Sequence, residues 1–165
     1  MPSVPLFLCD RMLIRLGRWL RAAGYDTGIA GGATADRDLL DWAVREDRLL
    51  VTRDRKFIEF REAPGRVILL GTNETESCAA ELSGRQVVDW LHRPFTRCLE
   101  CNAPLGPAAP RIRAALPGSA QTVDPAELRW CATCRKLYWP GSHVRRMRSR
   151  LERWQRGAFG LADGP

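Results

Sequence analysis

Cys98-Leu-Glu-Cys101 and Cys131-Ala-Thr-Cys134 are two C-x₂-C pairs with 29 residues between them. Each such turn presents two sulfurs to one ion, and two turns complete a closed, tetrahedral four-sulfur site of the ribbon type. The spacing predicts structural zinc held by Cys98, Cys101, Cys131 and Cys134. Disulfides are disfavoured in a chain read as cytoplasmic, and a redox C-x-x-C needs only one pair beside a βαβ unit. Four thiolates leave no open position for water, so the reaction, if there is one, lies elsewhere. Cys9 and Cys78 stand singly in apolar segments and read as small core residues.

Upstream the texture differs. Residues 6 to 9 form a short, continuous apolar run opened by Pro5 and ended by Asp10, as expected for a strand buried on both faces. A helix is predicted directly after it, with Leu13, Leu16, Gly17, Leu20 and Ala23 at core spacing and Arg11, Arg15 and Arg18 on one face. Gly24 ends it. Residues 25 to 30 read as a short strand, and the next helix carries Leu39, Leu40, Ala43 and Val44 on its apolar face with Thr34 or Asp36 as N-cap. Residues 49 to 52 repeat the buried strand, close on Arg53-Asp54 and lead into a helical stretch over 55 to 62. Residues 67 to 70 form a third firm strand, and 74 to 91 a helix with Ala79, Leu82, Val87 and Leu91 as core contacts. Strands alternating with helices predict an α/β, three-layer domain with a parallel sheet over residues 1–92.

From Pro94 cysteine, proline and arginine dominate, and the ribbon is assigned to residues 93–147. Within it 103 to 120 read as a long loop with an ordered piece at 112 to 116. A basic helical tail, 148–165, continues a helical stretch from 144 to 156 and is expected to fray from 157. Residues 1 to 92 carry 13 basic and 14 acidic side chains, whereas 93 to 165 carry 13 and 5, so the net charge of +7 is C-terminal. Of the 26 basic residues only Lys56 and Lys136 are lysine, and the guanidinium fork suits phosphate contacts. Apolar runs fall short of the roughly 20 residues that cross a bilayer, and no signal-peptide pattern opens the chain; no membrane partner and a cytoplasmic location are the expectation.

Asp10 and Asp54 follow two apolar runs expected to be neighbouring parallel strands, and Asp36 opens the helix after the strand between them. At the carboxyl edge of one sheet, such acids could hold Mg²⁺ or Mn²⁺ with Asp38 nearby and activate a water. The alternative is that Asp10, Asp36 and Asp54 are helix caps and Asp38 a surface acid.

The order of motifs resembles a known family. Asp10 to Arg21, Gly24-Tyr25-Asp26, Asp36-Arg-Asp-Leu-Leu40 and Arg48-Leu-Leu-Val-Thr-Arg-Asp54 are similar to the PIN-like RNase module named after the C-terminal part of the Mut-seven exonuclease. Arg97 to Asn102, Trp130 to Cys134 and Tyr138-Trp-Pro-Gly-Ser-His143 resemble the zinc ribbon that follows it. The resemblance implies a metal-dependent ribonuclease whose Asp10, Asp36 and Asp54 coordinate the metal. Lys56-Phe57 stands where related sequences often carry a further acid, so Asp38, Glu59 or water is left for that place.

Two function classes follow. One is a ribonuclease in which Arg15 and Arg18 stabilise charge at the scissile phosphate, while Arg11, His143, Arg145, Arg146 and Arg148 also contact RNA. The other is a catalytically idle module whose ribbon binds RNA or a ribonucleoprotein. RNA is the partner in both, a ribosome or an inhibitory protein is a further candidate, and the oligomeric state is open. Trp130, Tyr138 and Trp139 flank the second knuckle either as base-stacking rings or as cover for the ribbon.

Overall fold

The computed structural model describes residues 3–114, 116, 118 and 122–159. Strand β1 (Leu6–Cys9) is the apolar run after Pro5. Because side chains alternate along a strand, Phe7 and Cys9 enter one core and Leu8 the other. Strands β2 (Thr27–Ile29), β3 (Arg48–Thr52) and β4 (Val67–Leu69) complete a parallel sheet in the order β2-β1-β3-β4, with Leu8 beside Leu50 and Gly28. Helices lie on both faces: α1 (Ile14–Ala22) and α3 (Thr75–Gly84) on the Phe7 side, α2 (Asp36–Arg45) on the Leu8 side. The expected three-layer α/β architecture is present.

Several boundaries differ from expectation for local reasons. A single 3₁₀ turn, Arg11–Leu13, precedes α1, so that helix starts at Ile14; Leu13, Leu16, Gly17, Leu20 and Ala23 are buried as read from their spacing. Gly24 has φ +100°, and a Cβ there would strike the Arg93 carbonyl. Neither Thr34 nor Asp36 is the N-cap of α2. That position is Ala35, Thr34 donates to the Gly31 carbonyl at 2.7 Å, and Asp36 and Asp38 sit in the first turn, where the helix dipole favours them. Val44 is 43% exposed rather than core, and Trp42 packs over Gly28 instead. The stretch after β3 is a 3₁₀ turn, Arg55–Glu59, that does not continue to 62. Helix α3 stops at Gly84, ahead of Gln86 in the left-handed region, so the helix read through 91 is too long; Ala79 and Leu82 are core, Leu91 is exposed, and Trp90 takes the buried place.

The second unit is a three-stranded antiparallel sheet of β5 (Gly106–Pro107), β6 (Arg129–Cys131) and β7 (Lys136–Tyr138). A short helix, α4 (Pro110–Arg113), interrupts the expected loop. Of the ordered piece placed at 112 to 116, residue 115 lies outside the described residues.

Helix α5 (Ser142–Gln155) is continuous and returns to the first unit. Its Met147, Leu151 and Trp154 join the core on the Phe7 side. Trp154 meets Trp19 and Trp90 edge-on, with ring centroids 4.9 and 4.7 Å away, and its Nε1 donates to Glu76 at 2.5 Å. Arg150 and Arg153 pair with the same carboxylate at 3.2 and 3.6 Å. These two arginines therefore face the protein, whereas Arg145, Arg146, Arg148 and Arg156 are exposed. Most of the end expected to fray, from 160 onward, lies outside the described residues. No helix among the described residues is long and apolar enough to cross a membrane.

Candidate active site and metal centre

The four cysteines converge. One ligand atom from each of Cys98, Cys101, Cys131 and Cys134 lies within 4.8 Å of the others, and two sulfur pairs are 3.8 and 3.5 Å apart. A tetrahedral ion with bonds of about 2.3 Å to sulfur separates its ligands by about 3.8 Å, so the set fits zinc. Turn geometry explains the convergence: Asn102 N–H returns to the Cys98 carbonyl at 3.0 Å with Asn102 at φ +71°, and Cys134 N–H donates to Cys131 Sγ at 3.3 Å. Burial opposes a charge on Cys98, but the Tyr138 hydroxyl, 3.0 Å away, and the N–H groups of Cys101 and Glu100 bring its thiol down to about 6. Cys134 moves the other way, through hydrogen bonding to Cys101. Four sulfurs this close cannot all carry charge without a cation among them. Burial pushes Cys9 up to about 12 and Cys78 to about 11, which suits core thiols rather than ligands.

The first knuckle is tied to the α/β unit by side chains that periodicity alone did not single out. Arg21, only 6% exposed, donates to the carbonyls of Thr27, Leu99 and Glu100 at 2.9, 2.9 and 2.7 Å. Asn102 accepts from Thr27 N–H at 3.0 Å and donates to Asp26 at 2.8 Å. Asp26 also holds Arg48 at 2.7 Å and Arg97 at 3.3 Å. Burial works against its charge, but Arg48 and Asn102 more than offset that and hold the carboxyl below the usual range. The residue after the second cysteine of a knuckle, where Asn tolerates positive φ, was the available signal for Asn102.

At the opposite, carboxyl end of the strands, Asp10 follows β1 and Asp54 follows β3. Both meet Thr52: its hydroxyl donates to Asp10 Oδ2 at 3.0 Å and accepts from Asp54 N–H at 3.0 Å. Asp10 Oδ1 caps the 3₁₀ turn through Met12 N–H at 3.3 Å, and Asp54 Oδ1 caps the next through Lys56 N–H at 2.9 Å. Asp36 and Asp38 stand in the first turn of α2, beyond β2. Among the described residues the cysteines are the group of three or more donors that meets ligand spacing; Asp10, Asp36 and Asp54 do not close to that distance. Glu59 is exposed at the end of its turn, and Phe57, where a further acid was sought, is core.

Arg11 and Arg15 are exposed, while Arg18 pairs with Glu100 of the knuckle at 3.2 Å. Arg148 lies over the Phe95 ring at 5.2 Å. His143, in the first turn of α5, borders a cavity of about 530 Å³ with Tyr138, Trp139 and Arg145. Trp130 is half-buried in β6.

A parallel α/β sheet with acids at its carboxyl edge is thus joined to a four-cysteine ribbon. The model of the Mut7-C RNAse domain matches residues 5–151, and the chain belongs to that family. No curated protein and no solved structure matches it.

Proposed function

We propose that the protein is a metal-dependent ribonuclease that hydrolyses RNA phosphodiester bonds at the carboxyl edge of its sheet. Residues 1–92 form the PIN-like nuclease unit, 93–147 a ribbon closed by structural zinc, and 148–165 a basic tail. The observation that supports the reading is the Thr52 hydroxyl, which holds the Asp10 carboxylate and the Asp54 backbone N–H, and so ties the ends of two adjacent parallel strands together at one edge. Hard oxygen donors suit Mg²⁺ or Mn²⁺, which keep several waters and need only one or two carboxylates. Asp10 and Asp54 would hold that ion, with Asp36 and Asp38 reached through its waters. The ion supplies a lowered pKa for a bound water and a counter-charge for the phosphate. Thr52 holds Asp10 in place, Arg15 offers a guanidinium to the scissile phosphate, and Arg145, Arg146 and Arg148 hold the strand further away. RNA as substrate and a cytoplasmic site of action belong to this reading.

The spread of Asp10, Asp36 and Asp54 favours a second reading, a ribbon that binds RNA or a ribonucleoprotein beside an idle α/β unit. The test is single-turnover cleavage of a generic RNA by the zinc-loaded chain with and without Mn²⁺, and by Asp10→Asn. Cleavage that needs Mn²⁺ and Asp10, with RNA binding kept by the variant, supports the ribonuclease. Binding with no cleavage under any condition selects the second reading.

A further inference from the structure

A cleft of about 310 Å³ lies between the start of α1 and the β4–α3 turn, lined by Met12, Arg15, Asn73 and Thr75 with Leu13 and Leu16 beneath. Its volume is at the lower end of the roughly 300 to 1,000 Å³ of ligand sites, enough for a sugar and its phosphate rather than a large cofactor. It adjoins the acidic edge directly, since Met12 N–H donates to Asp10. Its polar groups are uncommitted: among the described residues the Arg15 guanidinium, the Asn73 amide and the Thr75 hydroxyl make no hydrogen bond or ion pair within the protein. One turn further along α1, Arg18 is engaged by Glu100 at 3.2 Å.

Arg53, between Thr52 and Asp54, has a buried Nε with no hydrogen-bond partner. The Cys78 thiol donates to the Thr72 carbonyl at 3.3 Å, one residue before Asn73. Arg15 lines the cleft and has no anionic partner among the described residues, whereas Arg53 is not part of the lining.

We propose that this cleft is a ribose subsite, in which Asn73 and Thr75 pair with the 2′-hydroxyl of a nucleotide beside the cleaved bond while Arg15 holds its phosphate. An amide and a hydroxyl each donate and accept, as does the 2′-hydroxyl, which is the group that separates RNA from DNA at a single position. The assignment names how the edge selects its substrate and rests on the ribonuclease reading for its place beside the cut.

The experiment uses the zinc-loaded full chain and a set of single-stranded RNA oligonucleotides, each carrying one 2′-deoxy position, read by dissociation constant with Asp10→Asn and by single-turnover rate with Mn²⁺. Asn73→Leu and Thr75→Val remove the polar groups at similar size; unchanged far-ultraviolet circular dichroism and melting temperature show that each variant is folded. One deoxy position should weaken binding roughly two- to tenfold in the parent, and Asn73→Leu should weaken the all-RNA ligand similarly while becoming indifferent to that position. If no position discriminates, or if both variants keep the discrimination, the subsite is wrong. If discrimination in binding follows Asn73 but no RNA is cut, the subsite stands and the ribonuclease reading falls.

Discussion

The thiol cluster and the acidic edge are built by different means, and the difference explains why one closes and the other stays open. Each knuckle sets its two sulfurs three residues apart in one turn, and the small antiparallel sheet brings the turns together. The acids are set by strand order. With β1 between β2 and β3, Asp36 and Asp54 belong to opposite sides of Asp10. Asp10 and Asp54 follow adjacent strands, which lie about 4.8 Å apart, whereas Asp36 stands in the first turn of α2, beyond the end of β2, and the three do not close to ligand spacing. Soft ligands made by turns give a finished centre. Hard ligands made by topology give an edge that water, an ion and a phosphate can share.

Metal removal should produce the largest effect. Cys101→Ser or Cys134→Ser should unfold the ribbon, because binding free energies of roughly 10 to 16 kcal/mol for structural zinc are folding free energies in small domains. The sheet of the first unit should stay folded but lose the bonds Arg21 and Asn102 make to it, which slowed amide exchange at Thr27 in the parent would report. Folded wild type holding less than one zinc per chain would contradict this.

The open edge should be sensitive in rate rather than in fold. Asp10→Asn is expected to reduce single-turnover cleavage by roughly a thousandfold, equivalent to about 4 kcal/mol of transition-state stabilisation, with the melting temperature little changed. Thr52→Val should lower the rate less and also cost stability, by about 1 kcal/mol, because it leaves the part-buried Asp54 N–H without its acceptor. A Thr52→Val enzyme with full activity would remove the hydroxyl from the argument.

Between the two regions, Asp26→Asn should destabilise the fold by roughly 1 to 3 kcal/mol at neutral pH by weakening the bonds to Arg48, Arg97 and Asn102. The sign with pH follows from the lowered carboxyl: its contribution is complete above the unfolded value near 4 and is lost as pH falls through the lower folded value. Denaturant midpoints at pH 7 and pH 3 should therefore converge for parent and variant. A constant gap would refute the ionic part.

The smallest effects belong to the exposed arginines. Arg18→Ala should change stability by under about 1 kcal/mol, since its pair with Glu100 is about half exposed. Replacing Arg145, Arg146 or Arg148 by Ala should lower the salt slope of RNA binding by roughly 0.7 per lost contact and leave the saturated rate intact, whereas Arg15→Ala should slow that rate. The opposite pattern would reverse the two roles.

Much of the frame was legible because short apolar runs ending in Asp or in a turn have few other solutions. Leu6 to Cys9, Leu49 to Thr52 and the knuckles fell where spacing put them. What stayed hidden depends on partners distant in sequence. Arg21 continues the exposed Arg18 stripe by only three residues, yet it is buried because the carbonyls of Leu99 and Glu100 arrive there. Trp90 rather than Leu91 is core because Gly84 ends the helix and Trp154, 64 residues later, meets it edge-on. The role of Thr52 follows from strand pairing, although the Thr-x-Asp turn was in plain view. The N-cap of α2 was misread because Thr34 bonds backwards to Gly31.

Strand β2 is the outer strand of its sheet, and such a strand normally offers unpaired amides to any other chain. Here Asn102 takes the N–H of Thr27 and Arg21 takes its carbonyl, both held by the first knuckle. A metal held by the four cysteines would therefore also shield β2: a chain stripped of it should uncover a ready template for strand addition, and its first failure should be clumping rather than lost catalysis.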